Sequence, residues 1–239
     1  MRRLFRSFDR FGVDYLLISG QASILYGAAT FSEDVDVWLR PGLPNAQRLL
    51  RALASQRARV YKLTPPLTLR NMRFGHGFQF TLARGKDTLF LDVTAAPPRV
   101  GAFEEARGRA TVMDGPFGPV PVVSVPDLVE LKKTQRFLDY DVISNLAARV
   151  VGAADVPVRT LRWAARNSFR AADRAAILER LGTMVSEERC RSEILRDVGR
   201  LQTRDAAYWR RIVRDLRRLR REGRLLPAGT PVARFVRAR

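Results

Sequence analysis

The stretch Ser19-Gly20-Gln21-Ala22, followed by Tyr26-Gly27 and then Asp34-Val35-Asp36-Val37-Trp38-Leu39, decides how this chain is read. A small-residue turn follows the apolar run Tyr15-Leu16-Leu17-Ile18, which predicts a strand entering a short helix over 21–26 that Gly27 closes. Two carboxylates then stand one residue apart inside a second apolar run. Side chains at i and i+2 of a strand share a face, so Asp34 and Asp36 stand side by side while Val35, Val37 and Leu39 face the core. Bare carboxylates at that spacing repel each other unless a cation sits between them. Mg²⁺, a hard ion that shares its oxygen ligands with phosphates, is the simplest choice, and it points to metal-assisted phosphoryl or nucleotidyl transfer. A pair of solvated acids on an edge strand is the plain alternative.

Working outward, Asp92 lies in Leu89-Phe90-Leu91-Asp92-Val93, an apolar context in which an unpaired charge is costly. It either faces the same cleft as the acid pair or closes a local network. Ser19 and Gly20 suit a phosphate turn: glycine permits close backbone approach, amides at a helix start favour anions, and Ser19 offers a hydroxyl. A simple strand-to-helix turn is the rival reading. Ser124 with Asp127 three residues on marks an N-cap, opening a long predicted helix over 126–148. On it Lys132, Arg136 and Asp139 fall at i, i+4 and i+7, one face, with Lys133 beside them. Two cations looking back at the acids are suited to a triphosphate; otherwise this is a solvated face with a weak ion pair. No P-loop pattern is present, and Gly75-His76-Gly77 is no dinucleotide fingerprint, so His76 reads as a loop residue. Trp38 and Tyr26 are large enough to stack on a base, though such aromatics more often fill a core.

In this order and spacing, the strand, the Ser19-Gly20 turn, the short helix ending at Tyr26-Gly27 and the Asp34-x-Asp36 strand resemble the nucleotidyltransferase superfamily (polymerase-β-like fold) over roughly residues 13 to 146. The closest flavour is the small bacterial AbiEii-toxin-like or uncharacterised nucleotidyltransferases. The resemblance implies an α/β (α+β) fold with a mixed sheet flanked by helices. It also implies an enzyme that moves a nucleoside monophosphate from an NTP such as ATP to a hydroxyl. Asp34 and Asp36 fall on the metal ligands, Asp92 on the third carboxylate that completes the triad and activates the attacking hydroxyl, and Mg²⁺ is the implied cofactor. Ser19, Gly20, Lys132, Lys133 and Arg136 become the expected nucleotide-binding residues. The turn reads Ser-Gly where relatives carry Gly-Gly or Gly-Ser, and Thr30 stands where many carry Arg.

The 239 residues are 46% hydrophobic, enough for a sizeable core or two compact units. A lone cysteine, Cys190, excludes a disulfide framework and suits a reducing cytoplasm. No apolar run is long enough to span a membrane, and the basic start Met1-Arg2-Arg3 lacks the apolar centre of a signal peptide. The formal net charge of +19 is carried almost wholly by arginine and calls for a polyanion partner. It is uneven: residues 151–239 hold 22 Arg against 10 acids. Helices are predicted over 4–11 and 44–54, and strands over 77–83, 88–94 and 120–123, with residues 84–87 as a hairpin connection. Helices alone are expected over 158–222, where Arg211, Arg214, Arg218 and Arg221 lie opposite an apolar face. We therefore divide the chain into a nucleotidyltransferase domain at 1–150 and a basic helical region at 151–239. The charge makes RNA, such as a tRNA end in the manner of toxin-type relatives, the expected acceptor; a toxin role would bring a cognate antitoxin or partner protein. The rivals are an antibiotic-type small-molecule acceptor and a catalytically silent nucleic-acid-binding protein.

Overall fold

The computed structural model describes residues 1–84, 87–153 and 155–236. Its centre is a seven-stranded mixed sheet. The strands are β1 (Tyr15–Ile18), β2 (Asp34–Leu39), β3 (Arg59–Val60), β4 (Gly77–Arg84), β5 (Asp87–Thr94), β6 (Thr111–Gly115) and β7 (Gly118–Val122), in the order β3-β4-β5-β2-β1-β7-β6. β2 runs parallel to β5 and β1 parallel to β7; β1 with β2, and β4 with β5, pair antiparallel. The connection predicted between β4 and β5 lies at residues 85–86, outside the described ones.

Helices surround the sheet: α1 (Arg2–Phe11), α2 (Ser19–Leu25), α3 (Leu43–Ser55), α4 (Leu69–Phe74) and α5 (Phe103–Arg109). The helical spacing of Leu4, Phe5 and Phe8 puts all three in the core, where Phe5 stacks on Tyr15 of β1 at 5.8 Å between ring centroids. Leu49 and Leu53 of α3 are buried likewise. The alternation read in β2 holds on its inner face, where Val35, Val37 and Leu39 are fully buried. The outer face changes character along the strand. Asp34 and Asp36 are half-buried, whereas Trp38, two residues on, is covered by Phe103 of α5, edge to face at 5.7 Å. The acids therefore sit at the open end of a strand whose other end is sealed on both sides.

The long helix expected over 126–148 is two helices, α6 (Val125–Lys132) and α7 (Phe137–Val150). Its start is as read: the Ser124 hydroxyl accepts from the Asp127 amide at 3.3 Å. The break at 133–136 is held by polar competition. The Thr134 hydroxyl accepts from the Arg136 amide, and Tyr140 donates to the Thr134 carbonyl, groups that an unbroken helix would bond internally.

Beyond residue 150 come α8 (Val158–Asn167), α9 (Ala171–Arg180) and α10 (Glu187–Arg221), followed by a short 3-10 turn at Val232–Phe235. α10, 35 residues and so about 52 Å long, starts at Ser186, whose hydroxyl accepts from the Arg189 amide. Glu187 and Glu188 lie in its first turn and Arg218, Arg220 and Arg221 in its last, matching the helix dipole. Ile194 and Val198 of α10, and Val232, join the core cluster built by the sheet. The stretch after α10 also bonds the sheet edge, with Val232 N–H donating to Ala58 and Gly229 N–H to Val60. No helix among the described residues is long and apolar enough to cross a membrane.

Candidate active site

The Ser19-Gly20 turn is built on a strained residue. Ser19 has φ +58°, a left-handed conformation unusual for a residue with a side chain. Gly20 is needed for packing: a Cβ there would lie 2.1 Å from Ser32 Oγ. Ser32 donates to the Asp34 carbonyl, and Gln21 donates to the Ser32 carbonyl at 3.0 Å. The chain between α2 and β2 is thereby clamped against the turn, and the start of the acid strand with it. Ile18, the last residue of β1, is paired with Asp36, so Ser19 emerges beside that carboxylate and hydrogen-bonds it.

The parallel pairing of β2 with β5 sets Asp36 directly opposite Asp92 and Asp34 opposite Phe90. Paired residues project from the same face, so three carboxylates converge from two adjacent strands. Burial first, then the charges of Asp92 and Asp34, push the Asp36 carboxyl up to about 7, against the Ser19 hydrogen bond and the Lys132 ammonium. Asp92 is also raised, by burial and then by Asp34, and is eased by Gln79 and Lys62. Gln79, its partner on β4, donates Nε2 to both Asp92 oxygens at 3.3 and 3.2 Å and so fixes their orientation. Among the described residues no three His, Cys, Asp or Glu side chains close into a metal-ligand shell. In chemistry the set fits a hard divalent cation: hard carboxylate oxygens brought to one face by two rigid strands.

The α6–α7 break supplies the opposing charge. Lys132 and Asp139, no longer on one helix, meet across it with Nζ 3.1 Å from Oδ1, both side chains buried. Burial would raise the Asp139 carboxyl, but Lys132, the Thr134 hydroxyl and Arg136 together hold it below the usual range. Arg136 bonds Asp139 Oδ2 through Nε at 3.0 Å and otherwise stands in solvent. Arg99 holds the end of α6. Its guanidinium donates to the Glu130 and Leu131 carbonyls and pairs with Asp205 of α10 at 2.6 Å, from a backbone at φ +67°.

These elements enclose a cleft of about 210 Å³. Ser19, Asp36, Asp92, Lys132 and Arg136, all candidates from the sequence, line it together. Asp34 stands one pleat away on the same strand face. Gly20 packs against Ser32, and Lys133 turns to Glu130 and lines a different cavity. Sequence reasoning missed the far wall: Arg99, Thr134, and Asp205, Tyr208 and Trp209 from α10. Tyr208 donates to the Ala96 carbonyl at 3.2 Å, locking α10 over the loop after β5. Pro97-Pro98, directly after β5, line the cleft as well. His76, read as a loop residue, is fully buried at the start of β4, with Nε2 2.9 Å from Asp215 of α10. Trp38 is core, as its neighbours imply.

No family model matches the sequence, and no curated protein does. Solved structures with a similar chain course include JHP933 from Helicobacter pylori, at 12% identity over 88% of this chain and 94% of that one, with a TM-score of 0.43. A second H. pylori protein, named as a "putative nucleotidyltransferase", shares 13% identity over 86% and 94%, with a TM-score of 0.44. ANT(2")-Ia, solved with adenylyl-2"-tobramycin, shares 14% over 75% and 95%, with a TM-score of 0.38. These are distant likenesses, and the functional reading rests on the cleft itself.

Proposed function

We propose that the chain is a nucleotidyltransferase of the polymerase-β-like type that moves a nucleoside monophosphate from an NTP to a hydroxyl, with RNA as acceptor. The observation that carries this is the Asp36–Asp92 register across β2 and β5, with Asp34 on the same face and cations on the opposite wall of one cleft. Asp34, Asp36 and Asp92 would hold Mg²⁺. The chemistry such an ion supplies is neutralisation of phosphate charge and polarisation of the phosphorus–oxygen bonds. Lys132, fixed by Asp139, and Arg136, free on its outer side, bind the triphosphate, while Ser19 and Gly20 bring the turn against it. Asp92, oriented by Gln79 and made more basic by burial, accepts the proton of the acceptor hydroxyl. The freed oxygen bonds to the α-phosphorus, the bond to the β-phosphate oxygen breaks, and pyrophosphate leaves with its electron pair.

The +19 charge supports a polyanionic acceptor over a cationic, aminoglycoside-type one. A toxin-type role would fit the same chemistry. Incubation with each labelled NTP, Mg²⁺ and total RNA, resolved on a gel, tests the reading. Label on RNA that disappears in Asp36→Asn is the expected result. Label on an aminoglycoside but not on RNA would replace the acceptor, and no transfer to either would overturn the assignment.

A further inference from the structure

Beside the catalytic cleft lies a larger cavity of about 810 Å³, walled by α8, α9, the middle of α10 and Lys133 from the end of α6. Its charge is one-sided. Arg162 and Arg166 face it from α8, and Arg200 and Arg204 from α10. All four are exposed, and none makes an ion pair among the described residues. Two acids line the same space, and both are engaged: Glu193 by Arg189 at 3.2 Å and Asp197 by Arg174 at 3.2 Å.

Arg174 is the decisive group. Its side chain is 6% exposed. Nε donates to the Ser168 carbonyl at 3.0 Å and Nη1 to Asp197, and the Phe169 ring lies 5.9 Å from Cζ. Nη2, buried in the same setting, has no hydrogen-bond partner among the described residues. An unpaired buried donor on a charged group is costly, and a guanidinium fixed by two other bonds cannot turn away to relieve it. Such a group is preorganised for an anion that brings its own oxygens.

We infer that this cavity seats the phosphodiester backbone of the RNA acceptor, with a phosphate against Arg174, an inference that rests on the RNA-acceptor reading above. Three observations favour a strand over a single small anion. The cavity is several times the volume of the catalytic cleft. Arg162 with Arg166, and Arg200 with Arg204, are each one turn apart, about 6 Å along the axis, so each wall offers successive contacts. The cationic surface also continues along α10: Arg200 and Arg204 share a neighbouring recess with Arg196, and beyond the cleft Arg210, Arg214 and Arg217 line another beside Trp209. Trp209 lines the catalytic cleft as well, so a strand following α10 passes the acids. The recessed, concave placement suits a strand better than a flat membrane surface.

The test is fluorescence anisotropy of a labelled single-stranded RNA with the full chain, in chelator, across a salt series. The combined variant Arg162→Gln/Arg166→Gln/Arg200→Gln/Arg204→Gln changes only exposed side chains and should keep the wild-type melting temperature. Its RNA affinity should fall at least tenfold near 100 mM salt, with the log–log salt slope flattened by roughly 0.7 for each phosphate no longer neutralised. Arg174→Lys, which keeps the charge but not the fork, should weaken binding severalfold on its own. An unchanged slope and affinity in the fourfold variant overturns the site, even if RNA is still labelled by NTP. Inorganic triphosphate that competes as well as RNA and loses affinity equally in the variant overturns the strand in favour of a small-anion pocket. RNA binding abolished in the variant while wild-type protein transfers nothing to RNA leaves the site standing and overturns the acceptor reading instead.

Discussion

The sheet half and the helical half of this molecule each gather like charges, but they handle the repulsion in opposite ways. The acids on β2 and β5 are half-buried and held by strand register, so they cannot separate, and the cost shows as the Asp36 carboxyl pushed up to about 7. The arginines of α8, α9 and α10 stand mainly in solvent on long side chains, where water and salt screen them at little cost to stability. Among the described residues only Arg174 of this set is buried, and its Nη2 is a donor with no partner there. Like charge on a rigid, desolvated frame marks a place built for a counter-charge; like charge on a solvated helix becomes informative only where geometry makes it concave or buries one member.

The hardest blow to this contrast is Asp36→Asn. It should lower nucleotidyl transfer by roughly a thousandfold or more, the scale on which charge-stabilising catalytic groups act, measured as labelled product per unit time. The same variant probes stability. In chelator the folded protein keeps the Asp36 proton up to about pH 7, while the unfolded chain loses it near the ordinary value of 3.8. The folded state therefore binds more protons between those values, and the wild-type protein loses stability as pH rises through that window, by on the order of 4 kcal/mol. Asp36→Asn should remove that fall and melt higher than wild type at pH 8. A variant that melts lower at pH 8 in chelator would mean that the carboxylate is a structural partner and not an uncompensated charge.

A smaller effect is expected where opposite charges are already paired. Lys132→Met leaves Asp139 with Thr134 and Arg136, so it should cost about 1–3 kcal/mol of stability and raise the KM for NTP about tenfold while kcat changes less. Asp139 is held below its usual range against burial, chiefly by Lys132, so its contribution is present above the unfolded value and lost as pH falls through the folded one; the stability gap between wild type and variant should therefore narrow below about pH 4. A fall in kcat as large as the rise in KM would place Lys132 in the reacting centre, not in ground-state binding.

The smallest effects separate one arginine from another. Arg211, expected from sequence to lie on a free basic face, donates to the Phe74 carbonyl and lies over the Phe74 ring at 4.7 Å; Arg218 is taken by Asp215 and Glu222. Arg214 lines an open recess. Arg211→Gln should cost about 0.5–1 kcal/mol, with Arg214→Gln within about 0.5 kcal/mol of wild type, in paired thermal melts. Arg214→Gln should instead lower RNA affinity at low salt. Reversed ranks would erase the distinction between arginines that hold α10 down and arginines that face a ligand.

What the sequence determined by itself was local. The Asp34–Leu39 strand with its alternating faces, the glycine-bearing turn before α2, the Ser124 cap, the helices after residue 158 and the uneven charge were all legible, because each is set by contacts within a few residues: period two, period 3.6, a cap three positions away. Tertiary structure alone decided what those elements face. Nothing in the local pattern of Leu89–Val93 says that β5 lies parallel to β2 with Asp92 opposite Asp36; that register is fixed by burying Val35, Val37, Leu91 and Val93 on one inner face. The α6–α7 break escaped notice because Thr134 and Tyr140 redirect backbone bonds that the helical pattern had spoken for. The far wall of the cleft and the arginine cavity depend on α10 returning across the sheet, anchored by Ile194, Val198, Asp205, Tyr208 and Asp215 to residues a hundred or so positions earlier. Contacts at that separation leave no periodic trace in the chain. They exist because a 35-residue amphipathic helix must bury its apolar stripe somewhere, and the sheet's core is where the apolar surface is.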